Sequence, residues 1–133
     1  MRTLAGVMDE DHPLFLKLQY NGPRAMEELS SYDPSRLVVG ILGGAAGTTR
    51  DTFELLSQAE KYGARVALFG RKIHFAESPI DIVTLMRQVV ARTLTPDEAV
   101  KAYHGALQKR RIAPSRALAD DIELTEPPLK RAA

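Results

Sequence analysis

The 133-residue chain has no cysteine and no tryptophan. Without thiols it can build no disulfide framework, no thiolate zinc site and no cysteine nucleophile. It also lacks an excess of either charge. Its 18 basic and 17 acidic residues leave a net charge of +1, so long-range electrostatics favour no class of partner. No apolar run approaches the ~20 residues that span a bilayer. The opening MRTLAGVMDEDHPL turns acidic at once and has no long apolar stretch, unlike a secretory signal. Aromatics are only 6% of the chain, and none interleaves with the basic residues Lys109, Arg110, Arg111 and Arg116. That cluster reads as a solvated helix end rather than a nucleic-acid surface. His12, His74 and His104 stand in separate segments without a ligand spacing, so neither a metal nor a cofactor is expected. His74 reads instead as a surface partner of Glu77. The expectation is a soluble, cytoplasmic protein with neither membrane nor nucleic acid among its partners.

What is present is a regular alternation of periods. LFLKLQY (14–20) is short, apolar and stopped by the turn signal NGP, which predicts a strand. PRAMEELSSY follows, with Pro23 suited to a first helical turn and Ala25, Met26 and Leu29 on one face. LVVGILG (37–43) is a branched apolar run, as in a strand covered on both faces. In TTRDTFELLSQAEKYG, Phe53, Leu56, Ala59 and Tyr62 form one stripe, Thr48 or Thr49 can cap its start, and Gly63 suits the position past its end. ARVALFG (64–70) predicts a third strand. SPIDIVTLMRQVV has Ser78 at the N-cap, with Ile80, Val83, Met86 and Val90 expected inward. TPDEAVKAYHGALQK opens on the capping box Thr95 to Glu98.

The order β-α-β-α-β-α-α implies an α/β fold with a parallel sheet and right-handed crossovers. Three such strands with their helices on one side leave the other sheet face bare and two edges open. In a closed eight-stranded barrel that face is the packed interior. The expected architecture is therefore part of a (β/α)8 TIM barrel over residues 1–112, with three parallel strands and an extra C-terminal helix. Residues 113–133 show no sustained period and are expected to be an extended or partly disordered tail.

Three features carry candidate chemistry. Strand alternation puts Leu14, Leu16, Leu18 and Tyr20 on one face and Phe15, Lys17 and Gln19 on the other. If the leucines meet helices, Lys17 points into a barrel interior, where a desolvated neutral amine is a nucleophile for a carbonyl. The alternative is an edge-strand lysine that deters aggregation. The loop from Gly43 through Gly44 to Gly47 and Thr49 joins a strand end to a helix start, where backbone N–H groups and the helix dipole form an anion site. Its spacing fits neither a Walker A loop nor a dinucleotide fingerprint. A tight turn for close packing explains it equally well. Gly70, Arg71 and Lys72 end the third strand with a glycine and two cations, which complete an anion site or form a solvated pair.

Taken together, FLKLQYNGPRAMEEL, VVGILGGAAGTTRDTFELLSQAEKYGARVALFGRKI and EAVKAYHGAL resemble the C-terminal half of the archaeal-type and bacterial class I fructose-bisphosphate aldolases. These are Schiff-base (β/α)8 enzymes, and the resemblance covers roughly residues 12–112. It implies that the three strands are barrel strands six, seven and eight. It further implies that Lys17 forms an imine with a phosphorylated ketose, such as fructose 1,6-bisphosphate, and that a C–C bond is then cleaved reversibly. The loops after strands seven and eight hold the substrate phosphate in that family, which implies Gly43, Gly44 and Gly47 in the first loop and Gly70 with Arg71 in the second. Barrel strands one to five, which carry the proton-transfer groups, have no counterpart in this chain. Without a general acid or base the cleavage step loses roughly 10²–10⁴-fold. Two expectations follow: an aldolase or part of one that associates with a complementary half or with further copies of itself, or a catalytically incomplete half-barrel that binds phosphate.

Overall fold

The computed structural model describes residues 14–44 and 47–131. Strands β1 (Leu14–Leu18), β2 (Leu37–Leu42) and β3 (Val66–Leu68) form one parallel sheet in the order β1-β2-β3. Among the described residues the helices are α1 (Pro23–Ser30), α2 (Thr49–Lys61), α3 (Gly70–His74), α4 (Pro79–Val90), α5 (Pro96–Arg110), α6 (Leu118–Asp121) and α7 (Pro127–Lys130). The protein is α/β, and consecutive strands pair in parallel as the alternation of periods predicts. None of these helices is long and apolar enough to cross a membrane.

Local chemistry sets the helix ends. Pro23 occupies the first turn of α1, where its missing N–H removes no bond. Thr48 and Asp51 form a reciprocal capping box at α2, and Thr95 and Glu98 form another at α5. Gly63 follows α2 with φ +98°, and a Cβ there would collide with the Ser30 hydroxyl. The glycine is thus required twice, by backbone angle and by space.

The register fixes two unlike faces. Leu14 pairs with Leu37 and Lys17 with Gly40, and Gly40 in turn pairs with Val66. Leu37, Val39 and Ile41 point to the helices and are buried with Phe53, Leu55, Leu56 and Ala59 of α2. Leu14, Leu16 and Leu18 pack partly buried against the same core. Tyr20 continues this face, and its hydroxyl donates to Gln58 Oε1 at 2.9 Å. On the opposite face Phe15 is 49% exposed and Lys17 is exposed. Gly40 is buried in the central strand, and the Phe15 ring lies across it, 2.7 Å from where a Cβ would be.

Several expectations are corrected. In α4 the core face is Ile82, Leu85, Met86 and Val89, while Ile80 and Val90 are exposed. That helix is apolar on more than one side, so periodicity alone cannot select the face that meets α5. Ala25 is exposed on α1, although Met26 is buried. Glu77 does not pair with His74; its carboxylate accepts the Tyr103 hydroxyl at 3.0 Å and the Ser115 N–H at 2.7 Å. The segment expected to be an extended tail instead folds back through α6 and α7, with Leu129 completely buried. Scattered anchors hold it rather than a periodic apolar stripe.

Candidate anion-binding site

The start of α2, the short helix α3 that follows β3, and the returning segment at Ser115, Arg116 and Asp121 surround a cavity of about 100 Å³. Gly43 donates its N–H to Leu68 O at 3.2 Å, which ties the loop after β2 to β3. A Cβ at Gly43 would lie 3.1 Å from the Phe69 ring and 3.4 Å from Lys72 Cδ, so this glycine serves close packing. Gly47 does too, because a Cβ there would strike the Asp51 carboxylate of the capping box. Gly44 adopts φ +67° with open space around it, and Gly70 also faces open space. Two of the four glycines are therefore bare for packing, while the other two leave backbone accessible.

The two strand-end loops come together through Arg71. Its Nη2 donates to Gly44 O at 3.2 Å. Gly70 and Arg71 lie in the first turn of the short helix α3, not in an open loop. Lys72, the second cation, is buried rather than solvated. Arg71, Lys72 and Arg116 all line the cavity. Lys17 does not: it stands on the open face of β1, opposite Gly40, and lines no part of the cavity. The enclosure expected of Lys17 is not found among the described residues, where the residue is exposed.

The donors at the start of α2 are occupied by carboxylates. Thr48 N–H donates to Asp51 Oδ2 at 3.0 Å, and Thr49 N–H donates to Asp121 Oδ1 at 2.8 Å. Asp121 Oδ2 lies 2.9 Å from His104 Nε2, both groups being largely buried. Arg116 Nη1 donates to Gly47 O at 2.9 Å, and the Thr48 hydroxyl donates to Glu123 O at 2.7 Å. Asp51 also accepts N–H groups of Thr125 and Glu126 and the Thr125 hydroxyl. Burial opposes the Asp51 charge, yet the hydrogen bonds from Thr125, Thr48 and Glu126 prevail and hold its carboxyl below the usual carboxylate range.

Deeper in, Lys72 Nζ and Glu126 Oε1 are 3.6 Å apart. Both atoms are buried and neither makes a hydrogen bond. Burial lowers the Lys72 ammonium pKa, with Glu126 and Asp51 partly restoring it. Burial likewise raises the Glu126 carboxyl pKa, with Lys72 opposing. Sequence reasoning reaches Lys72 only as one of two adjacent cations, and it gives Asp51, Asp121 and His104 no site role. The Thr-x-x-Asp spacing of residues 48–51 does signal the cap, but nothing in it signals the distant segment that the same carboxylate holds.

The cavity gathers a helix start, two cations on α3 and a third on the returning segment, together with the carboxylates Glu77 and Asp121. Among the described residues no group of three acidic or histidine side chains could hold a metal ion. Compared with known proteins, the chain matches no family model and no curated protein.

Proposed function

We propose that this chain is the imine-forming and phosphate-anchoring part of a Schiff-base (β/α)8-barrel aldolase acting on a phosphorylated ketose such as fructose 1,6-bisphosphate. One observation carries this reading. Lys17 is exposed on the sheet face opposite the buried Leu37, Val39 and Ile41, while the cation-lined cavity lies among the segments that follow the neighbouring strands β2 and β3. In a parallel barrel that face becomes the interior and the C-terminal strand ends become the mouth where substrates bind.

The proposed chemistry follows from that placement. The neutral Lys17 amine attacks the substrate ketone, a C–N bond forms, and loss of water gives the protonated imine. The iminium takes up the electron pair released when the adjacent C–C bond breaks, as a base removes the proton of the departing carbon's hydroxyl group. The resulting enamine is reprotonated, and water returns the amine. Arg71, with Gly44 and Gly70 beside it, anchors a substrate phosphate; Gly43 and Gly47 shape the first loop. The covering half supplies both the desolvation of Lys17 and the base.

Reduction with borohydride in the presence of dihydroxyacetone phosphate tests the reading. The expected result is a stable adduct on the wild-type chain that Lys17→Met abolishes. A wild-type chain that binds phosphate yet never forms the adduct, even with its sheet face covered, overturns it. The exposure of Lys17 favours a second reading for the chain by itself: a phosphate-binding half-barrel, catalytically incomplete, whose open face takes a complementary half or a second copy.

A further inference from the structure

Lys72, which lines the cavity, is a buried cation with an ion-pair partner but no hydrogen bond. The Lys72 side chain is 2% exposed; among the described residues its Nζ makes no hydrogen bond, and its ion-pair partner there, Glu126 Oε1, is 3.6 Å away. That separation is beyond hydrogen-bond reach. An ammonium has three donors, and burial without acceptors is unfavourable unless another state supplies them.

The surrounding carboxylates divide into two groups. Asp51 is filled by the Thr48, Thr125 and Glu126 N–H groups and the Thr125 hydroxyl. Glu77 is filled by Tyr103 and Ser115. Both are structural anchors. Asp121 and Glu126 differ, since they rest on the two groups an incoming oxyanion would use. Asp121 takes the Thr49 N–H at the start of α2, and Glu126 faces Lys72. Thr49 and Lys72 line the same cavity. Both carboxylates belong to the one returning segment.

We propose that the Thr49 N–H and Lys72 bind one phosphate dianion, with Asp121 and Glu126 as its internal stand-ins. Residues 113–131 close the site when it is empty and yield when phosphate arrives. This rests on the phosphate-anchoring part of the reading above and is independent of any imine at Lys17. Little movement is needed. The Glu126 backbone stays on Asp51 while its side chain swings out, and Asp121 keeps His104 while it releases Thr49. A dianion with three terminal oxygens then satisfies Lys72 and Thr49 together, which a carboxylate held 3.6 Å from Lys72 cannot do.

The test is titration of the full 133-residue chain with inorganic phosphate at constant ionic strength, and in a second arm with glycerol 3-phosphate. Whichever arm binds tighter names the source of the dianion, free or esterified. Glu126→Gln and Asp121→Asn remove the internal competitor and are each expected to tighten binding by about 3- to 10-fold. Lys72→Met is expected to weaken it by at least about tenfold. Thermal melts establish which variants fold; should Lys72→Met fail to fold, the two carboxylate variants decide. Unchanged or weaker phosphate binding in both folded carboxylate variants overturns the proposal. If Arg71→Ala abolishes binding while the carboxylate and Lys72 variants match wild type, the anchoring reading stands and this one falls.

Discussion

Asp51 Oδ1 accepts the Thr125 backbone N–H at 2.7 Å, joining the first turn of α2 to a segment 74 residues away. The same side chain caps its own helix through Thr48. One carboxylate thus starts a helix and fastens the returning chain, and it is completely buried in doing so.

Removing it leaves several buried donors unpaired. Asp51→Ala is expected to destabilise the fold by about 2–4 kcal/mol, since each orphaned donor carries its own desolvation penalty. Arg24→Ala breaks only a pair that is 92% and 67% exposed, and is expected to change stability by less than about 0.5 kcal/mol. Urea unfolding of the two variants beside wild type checks both. An Asp51 variant as stable as the Arg24 variant would remove this anchor from the account.

Acid should loosen the same anchor. The folded Asp51 carboxyl lies below its ordinary value of 3.8, and that of Glu77 lies below 4.5, burial being outweighed by hydrogen bonds in each. A depressed folded pKa contributes stability that is present above the unfolded value and lost as pH falls through the folded one. Stability is therefore expected to hold down to about pH 4.5 and to decline below it. Glu126 runs the opposite way, because its raised pKa favours the protonated fold at low pH. Denaturation midpoints across pH 7 to 3 should show the decline, and Asp51→Asn should flatten it.

Two glycines separate conformation from space. Gly63→Ala puts a Cβ at φ +98° and into Ser30, and is expected to cost more than about 1 kcal/mol. Gly105 lies within α5 with nothing near its missing Cβ. Gly105→Ala is expected to stabilise by about 0.5–1 kcal/mol through helix propensity. Opposite signs in chemical denaturation are the check.

The open sheet face should associate. Phe15 is 49% exposed over Gly40, and the β1 and β3 edges are unpaired within the described sheet. Phe15→Glu is expected to raise the monomer fraction measured by sedimentation equilibrium. If wild type and variant are equally monomeric, that face does not drive association.

Strand order, parallel pairing, the capping box at Thr95 and a threonine cap at α2 were legible in the sequence because each rests on local chemistry: branched runs, a Thr-x-x-Glu spacing, a proline at a helix start. The leucine face of β1 was legible for the same reason. The inward face of α4 was not, since Ile80, Val83 and Val90 compete with Ile82, Leu85 and Val89 on a helix with apolar residues on more than one side. The return of residues 113–131 was hidden as well. Its anchors are single side chains, Asp51, Gln58 and Thr48, meeting backbone groups more than 70 residues distant. Of the candidate site, the meeting of Gly44 with Arg71 followed from the order of the strands. The burial of Lys72 beside Glu126 did not, because it depends on that return.

The central claim is that Lys17 is the imine-forming amine. Site-resolved mass spectrometry after borohydride reduction with dihydroxyacetone phosphate tests it most directly. An adduct at Lys17 blocks tryptic cleavage there, so the account predicts a modified peptide running from Thr3 to Arg24. Normal cleavage after Lys17, with the label at another lysine or at none, would contradict it.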